Sequence, residues 1–102
     1  GGTLNNKPGV GIYVDADPGV AARAMDISSP TTGWVGRVYG AASGPPETLD
    51  GWQELGTIDA TKRTTRVQLD TAGKRFRYYL VWITKLPPER EKVEISEIVL
   101  FR

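Results

Sequence analysis

The chain has 102 residues, of which 39% are hydrophobic and 25% charged, and its 13 Lys and Arg against 12 Asp and Glu leave a net charge of +1. That describes one globular domain with a real core and no room for a second, and it is neither a disordered composition nor the electrostatic footprint of a nucleic-acid binder. With no Cys and no His, disulfides, most zinc sites, the Ser-His-Asp and Cys-His nucleophile systems and the commonest general base are excluded.

No apolar run approaches the roughly 18 residues that span a bilayer, so direct membrane insertion by this domain is not expected. Gly1-Gly2 reads as a cloning remnant, and residues 1–6 as a tag remnant or linker ahead of a single domain filling 1–102.

The first strand is expected at Val10–Asp15, where Val10, Ile12 and Val14 alternate with Gly11, Tyr13 and Asp15. Asp17-Pro18-Gly19 ends it with the residues of a type II turn. Ala21–Ser28 follows, with Met25 and Ile27 on one face and Ala24 and Asp26 on the other. Ser29-Pro30-Thr31-Thr32-Gly33 is a loop, and Trp34–Gly40 is a strand of ambiguous phase. In it Val35 and Tyr39 share a face with Arg37, while Trp34 and Val38 share the other with Gly36.

Ala41–Gly51 is the longest stretch without a pattern. Trp52–Gly56 is a short strand, and Thr64–Asp70 a fuller one with Val67 and Leu69 inward. Asp70-Thr71-Ala72-Gly73-Lys74 reads as a hairpin connection with Gly73 in the left-handed position. It leads into Phe76–Thr84, where Tyr78–Ile83 is the densest hydrophobic run of the chain. Tyr78, Leu80 and Trp82 face one way, and Tyr79, Val81 and Ile83 the other. Both faces are apolar, so this strand is expected in the middle of a sheet and covered on both sides, with Trp82 the costliest truncation, roughly 3–5 kcal/mol. After Leu86–Glu91 comes the last strand, Lys92–Phe101, in which a β-bulge near Ser96-Glu97 would bring Val93, Ile95, Ile98 and Leu100 inward together.

About seven short strands, turn signals every 8–12 residues and no amphipathic helix predict an all-β fold, an antiparallel two-layer β-sandwich or jelly roll. Trp82, Leu80, Ile95 and Val67 are expected in its core.

Several phrases, taken in order and spacing, resemble a known family. They are Lys7-Pro8-Gly9-Val10-Gly11-Ile12-Tyr13-Val14-Asp15, Ser29-Pro30-Thr31-Thr32-Gly33-Trp34, Tyr39-Gly40-Ala41, Leu49-Asp50-Gly51-Trp52, Tyr79-Leu80-Val81-Trp82-Ile83-Thr84-Lys85-Leu86-Pro87 and Val93-Glu94-Ile95-Ser96-Glu97-Ile98. The chain from Lys7 onward resembles the discoidin-type (galactose-binding-like) C-terminal domain of actinobacterial membrane-anchored serine/threonine kinases and MviN-type lipid flippases. The resemblance implies a jelly roll acting as an extracytoplasmic sensor or binding module of a larger membrane-anchored protein, not a catalytic domain. The family pattern begins before Lys7, so the jelly roll is expected to lack its first strand or strands. An unpaired edge follows, near Ile12 or near Ile98, with two expected remedies: association of two copies, or pairing by Thr3–Lys7.

The candidate sites are few. Lys62, Arg63 and Arg66 on one arm of the expected penultimate hairpin, and Lys74, Arg75 and Arg77 at its turn and other arm, offer charge-assisted bonds to an anionic wall polymer or acidic glycan. The plainer reading is a solvated, charge-protected sheet edge. Trp34 or Trp52, each at a strand start, is a platform for a sugar ring or, more often, a core cap. Asp15-x-Asp17 supplies two oxygen ligands where Ca²⁺ needs six to eight, so turn stabilisation is the better reading.

The ligand-binding residues expected are Trp34, Arg37, Arg66 and Arg75, with no catalytic residue, metal or cofactor. The function expected is binding of a cell-wall carbohydrate or anionic polymer. The alternative is a structural or protein–protein interaction domain, and a two-carboxylate glycosidase is a distant third.

Overall fold

The computed structural model describes residues 10–102. Seven strands are present among them: β1 (Val10–Val20), β2 (Ala24–Ser28), β3 (Trp34–Ala41), β4 (Gln53–Ala60), β5 (Thr64–Gln68), β6 (Phe76–Lys85) and β7 (Glu97–Phe101). One 3₁₀ turn at Leu49–Gly51 interrupts the long β3–β4 connection. The strands form two antiparallel sheets, β1-β6-β3-β4 and β5-β2-β7. The fold is therefore all-β with two packed layers, a β-sandwich.

The core lies between the sheets. Its inner layer includes Trp34, Val38, Ile58, Phe76, Tyr79, Val81 and Ile83 from the larger sheet, facing Met25, Ile27 and Val67 from the smaller. Alternation along β3 settles the phase: Trp34, Gly36 and Val38 point inward, and Val35 and Arg37 outward. Val93, Ile95, Ile98 and Leu100 all pack on the core, as expected. The strand itself is shorter than expected. Only Glu97–Phe101 pairs regularly with β2, while the preceding chain is held by Ser96 N–H donating to Ser28 O at 2.8 Å. β1 is longer than expected, continuing through an irregularity between Asp15 and Val20.

Two expectations are corrected. The Asp70–Lys74 segment is not a hairpin: β5 pairs with β2, whereas β6 pairs with β1 and β3. The segment crosses from one sheet to the other, with Ala72 and Gly73 at φ 53° and 77°. Gly73 is thus in the left-handed region as expected, but the local turn signal said nothing about which sheet each arm joins.

Trp82 is the second correction. It is half-buried and belongs, with Leu80, to a separate aromatic group on the outer face of the larger sheet. Trp34 is the largest fully buried side chain, at 0% exposure, so the heavy truncation loss assigned to Trp82 belongs there instead. The reason is that β6 is central, as expected, but only one of its faces meets another sheet.

The two sides of the sandwich differ. Along one side β4 and β5 are stitched together, with Asp70 N–H donating to Leu55 O at 2.9 Å. A Cβ at Gly56 would lie 2.6 Å from Gln68 O, so only glycine permits that approach. Along the other side, β1 and β7 are the edge strands among the described residues, the two elements near which an open edge was expected. A small groove of about 160 Å³ runs between them, lined by Ile12, Val14, Ile95 and Ile98 among others. The Thr3–Lys7 pairing lies outside the described residues.

Candidate functional site: the outer aromatic face

Sheets with one face in water alternate apolar-in and polar-out. The three-stranded sheet follows this in part: Asp26 of β2 and Arg66 of β5 face outward as a bidentate pair, at 2.7 and 3.0 Å, beside the exposed Val99 and Phe101 of β7. The outer face of the four-stranded sheet does not. It carries Tyr13 from β1, Tyr78, Leu80 and Trp82 from β6, and Tyr39 and Ala41 from β3, with Trp52 and Leu49 closing one end.

Strand register arranges these residues in rows. Gly11, Trp82 and Arg37 are paired across β1, β6 and β3; Tyr13, Leu80 and Tyr39 form the next row; Asp15, Tyr78 and Ala41 the third. From Gly11 to Asp15 the rows extend over roughly 13 Å, at about 3.3 Å per residue.

The third row is roofed. Trp52 is buried, its indole N–H donating to Pro46 O at 3.2 Å, and Tyr13 stands edge-on to Tyr78 with ring centres 5.7 Å apart. Pro45, Tyr13, Val14, Asp15 and Tyr78 line an open cleft of about 550 Å³ there. Beyond the roof, Tyr13, Tyr39 and Trp82 are half-buried. The indole of Trp82 lies over Gly11, where a Cβ would fall 2.7 Å from its Cε3. Glycine at 11 therefore leaves the room against β1 that the indole occupies.

Polar groups frame this surface. Arg37, the cross-strand neighbour of Trp82, makes a single long approach to Glu54, 3.5 Å between Nη1 and Oε1. At the far end Arg77 donates from Nε and Nη2 to the two oxygens of Asp15, each at 2.9 Å. These bonds hold the Asp15 carboxyl below its usual range, an effect added to by the Asp17 N–H that donates to it at 3.0 Å. Asp15 is thus occupied by the cross-strand Arg77 and the Asp17 N–H; the turn expected to end the strand at Asp17-Pro18-Gly19 is absent, since β1 continues through Val20. Among the described residues no three Asp or Glu gather as a cation site.

The four residues expected to bind ligand do not converge. Trp34 is wholly inside, its indole N–H donating to Thr31 O at 3.1 Å, and offers no platform. Arg66 is on the outer face of the other sheet, its guanidinium 4.5 Å over the Phe101 ring. Arg75 lines a separate 380 Å³ cleft with Asp17, Gly19 and Arg102. Only Arg37 borders the aromatic face. The six cations of the supposed hairpin are likewise dispersed: Lys62 and Arg63 precede β5, while Lys74 and Arg75 lie beyond its other end.

Sequence reasoning missed Trp82, Tyr13 and Tyr39 as surface groups. The available signal was Gly11 opposite the aromatic run, which needs the β1–β6 register to be read. Comparison with family models, with curated proteins and with solved structures returns no match.

Proposed function

We propose that this domain is a non-catalytic, extracytoplasmic sensor or binding module for a cell-wall carbohydrate, using the outer face of its four-stranded sheet. The observation that carries the reading is the half-buried Trp82 against Gly11 on the outer face, with Tyr13 and Tyr39 in the next row. A cluster of aromatic rings on the outer face of a sheet is the informative departure from ordinary amphipathic patterning. Aromatic faces match the apolar faces of pyranose rings. The finer fold assignment, a galactose-binding-like jelly roll, and the parent context, a membrane-anchored kinase or flippase-like protein, rest on the sequence resemblance. Sheet pairing between strands distant in sequence is compatible with the jelly roll.

The test is titration with soluble wall glycan fragments, followed by indole fluorescence. Saturable binding is expected, reduced at least about tenfold in Trp82→Ala, since loss of a stacked ring removes on the order of 1–3 kcal/mol. Tyr39→Ala should weaken it less, and near-UV circular dichroism should report an intact fold for both. Absence of binding at millimolar fragment would sink the reading.

A second reading, a protein-interaction domain, is favoured by the apolar groove between the β1 and β7 edges. Its occupant would be a second copy of the chain adding to β1.

A further inference from the structure

Resting on the carbohydrate reading, we infer that the ligand is a carboxylate-bearing sugar, its ring stacked on Trp82 and its carboxylate held by Arg37. Three arginines belong to ion pairs in the described structure, and two of them are fully engaged. Arg66 grips Asp26 through two bonds and lies over Phe101; Arg77 grips Asp15 through two bonds and lies 5.1 Å over Tyr78. Each is a strand-locking fork with little donor capacity left to offer.

Arg37 is built differently. Its one approach to Glu54 is 3.5 Å long, with the two side chains 51% and 47% exposed. Among the described residues no aromatic ring lies under its guanidinium. An exposed pair of that length holds little, so the guanidinium fork can turn from Glu54 to a better-matched acceptor. A carboxylate is such an acceptor, taking two parallel N–H donors.

Position adds the second half. Arg37 is directly paired with Trp82, which sets their Cβ atoms about 5 Å apart on one face. A ring stacked on the indole would therefore have the arginine side chain beside it, within reach of a carboxylate at its rim. Glu54, one row away beside Tyr39, sets the opposing preference: until Arg37 turns, its negative charge disfavours an anion there.

The experiment compares tetramers of galacturonate and of glucuronate with their methyl esters, which keep the rings and remove the charge, by isothermal titration on the 102-residue chain. The acids are expected to bind about tenfold tighter than the esters. That preference should fade with added salt and vanish in Arg37→Gln, while ester binding is unchanged. Glu54→Gln should tighten acid binding and leave the esters unaffected. Equal affinity for acid and ester, with both lost in Trp82→Ala, overturns the carboxylate inference and leaves the carbohydrate reading standing. No binding of either form by folded protein overturns both.

Discussion

Tyr79 is wholly buried, and its hydroxyl does the work of a missing backbone partner. It donates to Val20 O and accepts from Ala22 N–H at 3.1 Å, tying the end of β1 to the start of β2 as the chain passes between sheets. Burial raises its pKa, the cause expected of a phenol out of water, so it stays a neutral donor. Tyr79→Phe keeps the ring and leaves both backbone groups without that partner. The expected loss is about 1–3 kcal/mol, read from a shift in urea midpoint with an unchanged m-value. A loss within a few tenths would mean that water or backbone movement takes over the hydroxyl's role. Trp82 teaches the complementary lesson, since its surroundings are set by a glycine that sits 71 positions earlier in the chain and directly opposite it in the sheet.

At the scale of elements, neighbouring strands are clasped by exposed charge pairs: β2 to β5 by Asp26 and Arg66, β1 to β6 by Asp15 and Arg77. Hydrogen bonds from the guanidinium hold both carboxyls below their ordinary 3.8. Since the folded pKa lies under the unfolded one, the unfolded chain takes up protons first as pH falls. The stability these pairs contribute is therefore complete above about pH 5 and lost as pH drops through the depressed folded values. Both pairs are exposed, so the effect is small for each. Urea midpoints measured down the acid range should fall below pH 3.8, and the double variant Asp15→Asn with Asp26→Asn should fall less steeply. Parallel acid limbs in the two proteins would show that other carboxylates carry the dependence.

Among the described residues the sandwich is closed on one side and open on the other. β4 and β5 meet through backbone and a glycine, whereas β1 and β7 leave an apolar groove between two sheet edges. Long apolar edges recruit further strands. The expected outcome is self-association through β1: the sedimentation coefficient should rise with concentration, and Val14→Lys should keep the chain monomeric. A concentration-independent monomer whose outward β1 amides exchange freely would show that the open side is stable as it stands. This measurement also separates the two functional readings, because sugar binding at the aromatic face needs no second copy.

Composition and alternation alone determined the all-β class, the central place of the Tyr78–Ile83 strand, the inward set Val93, Ile95, Ile98 and Leu100, and Gly73 as a left-handed turn residue. These follow from neighbours in sequence, since the period of two and turn chemistry are local. The sheet partners did not. Apart from β3 with β4, every pairing joins strands that are not consecutive, and no local signal distinguishes a hairpin from a crossover. Which apolar face of β6 meets the other sheet was also undetermined, because both read as buried. Tertiary pairing decided between the two readings of Trp34 by putting it inside, and it set Trp82 against Gly11 on the outer face of the larger sheet.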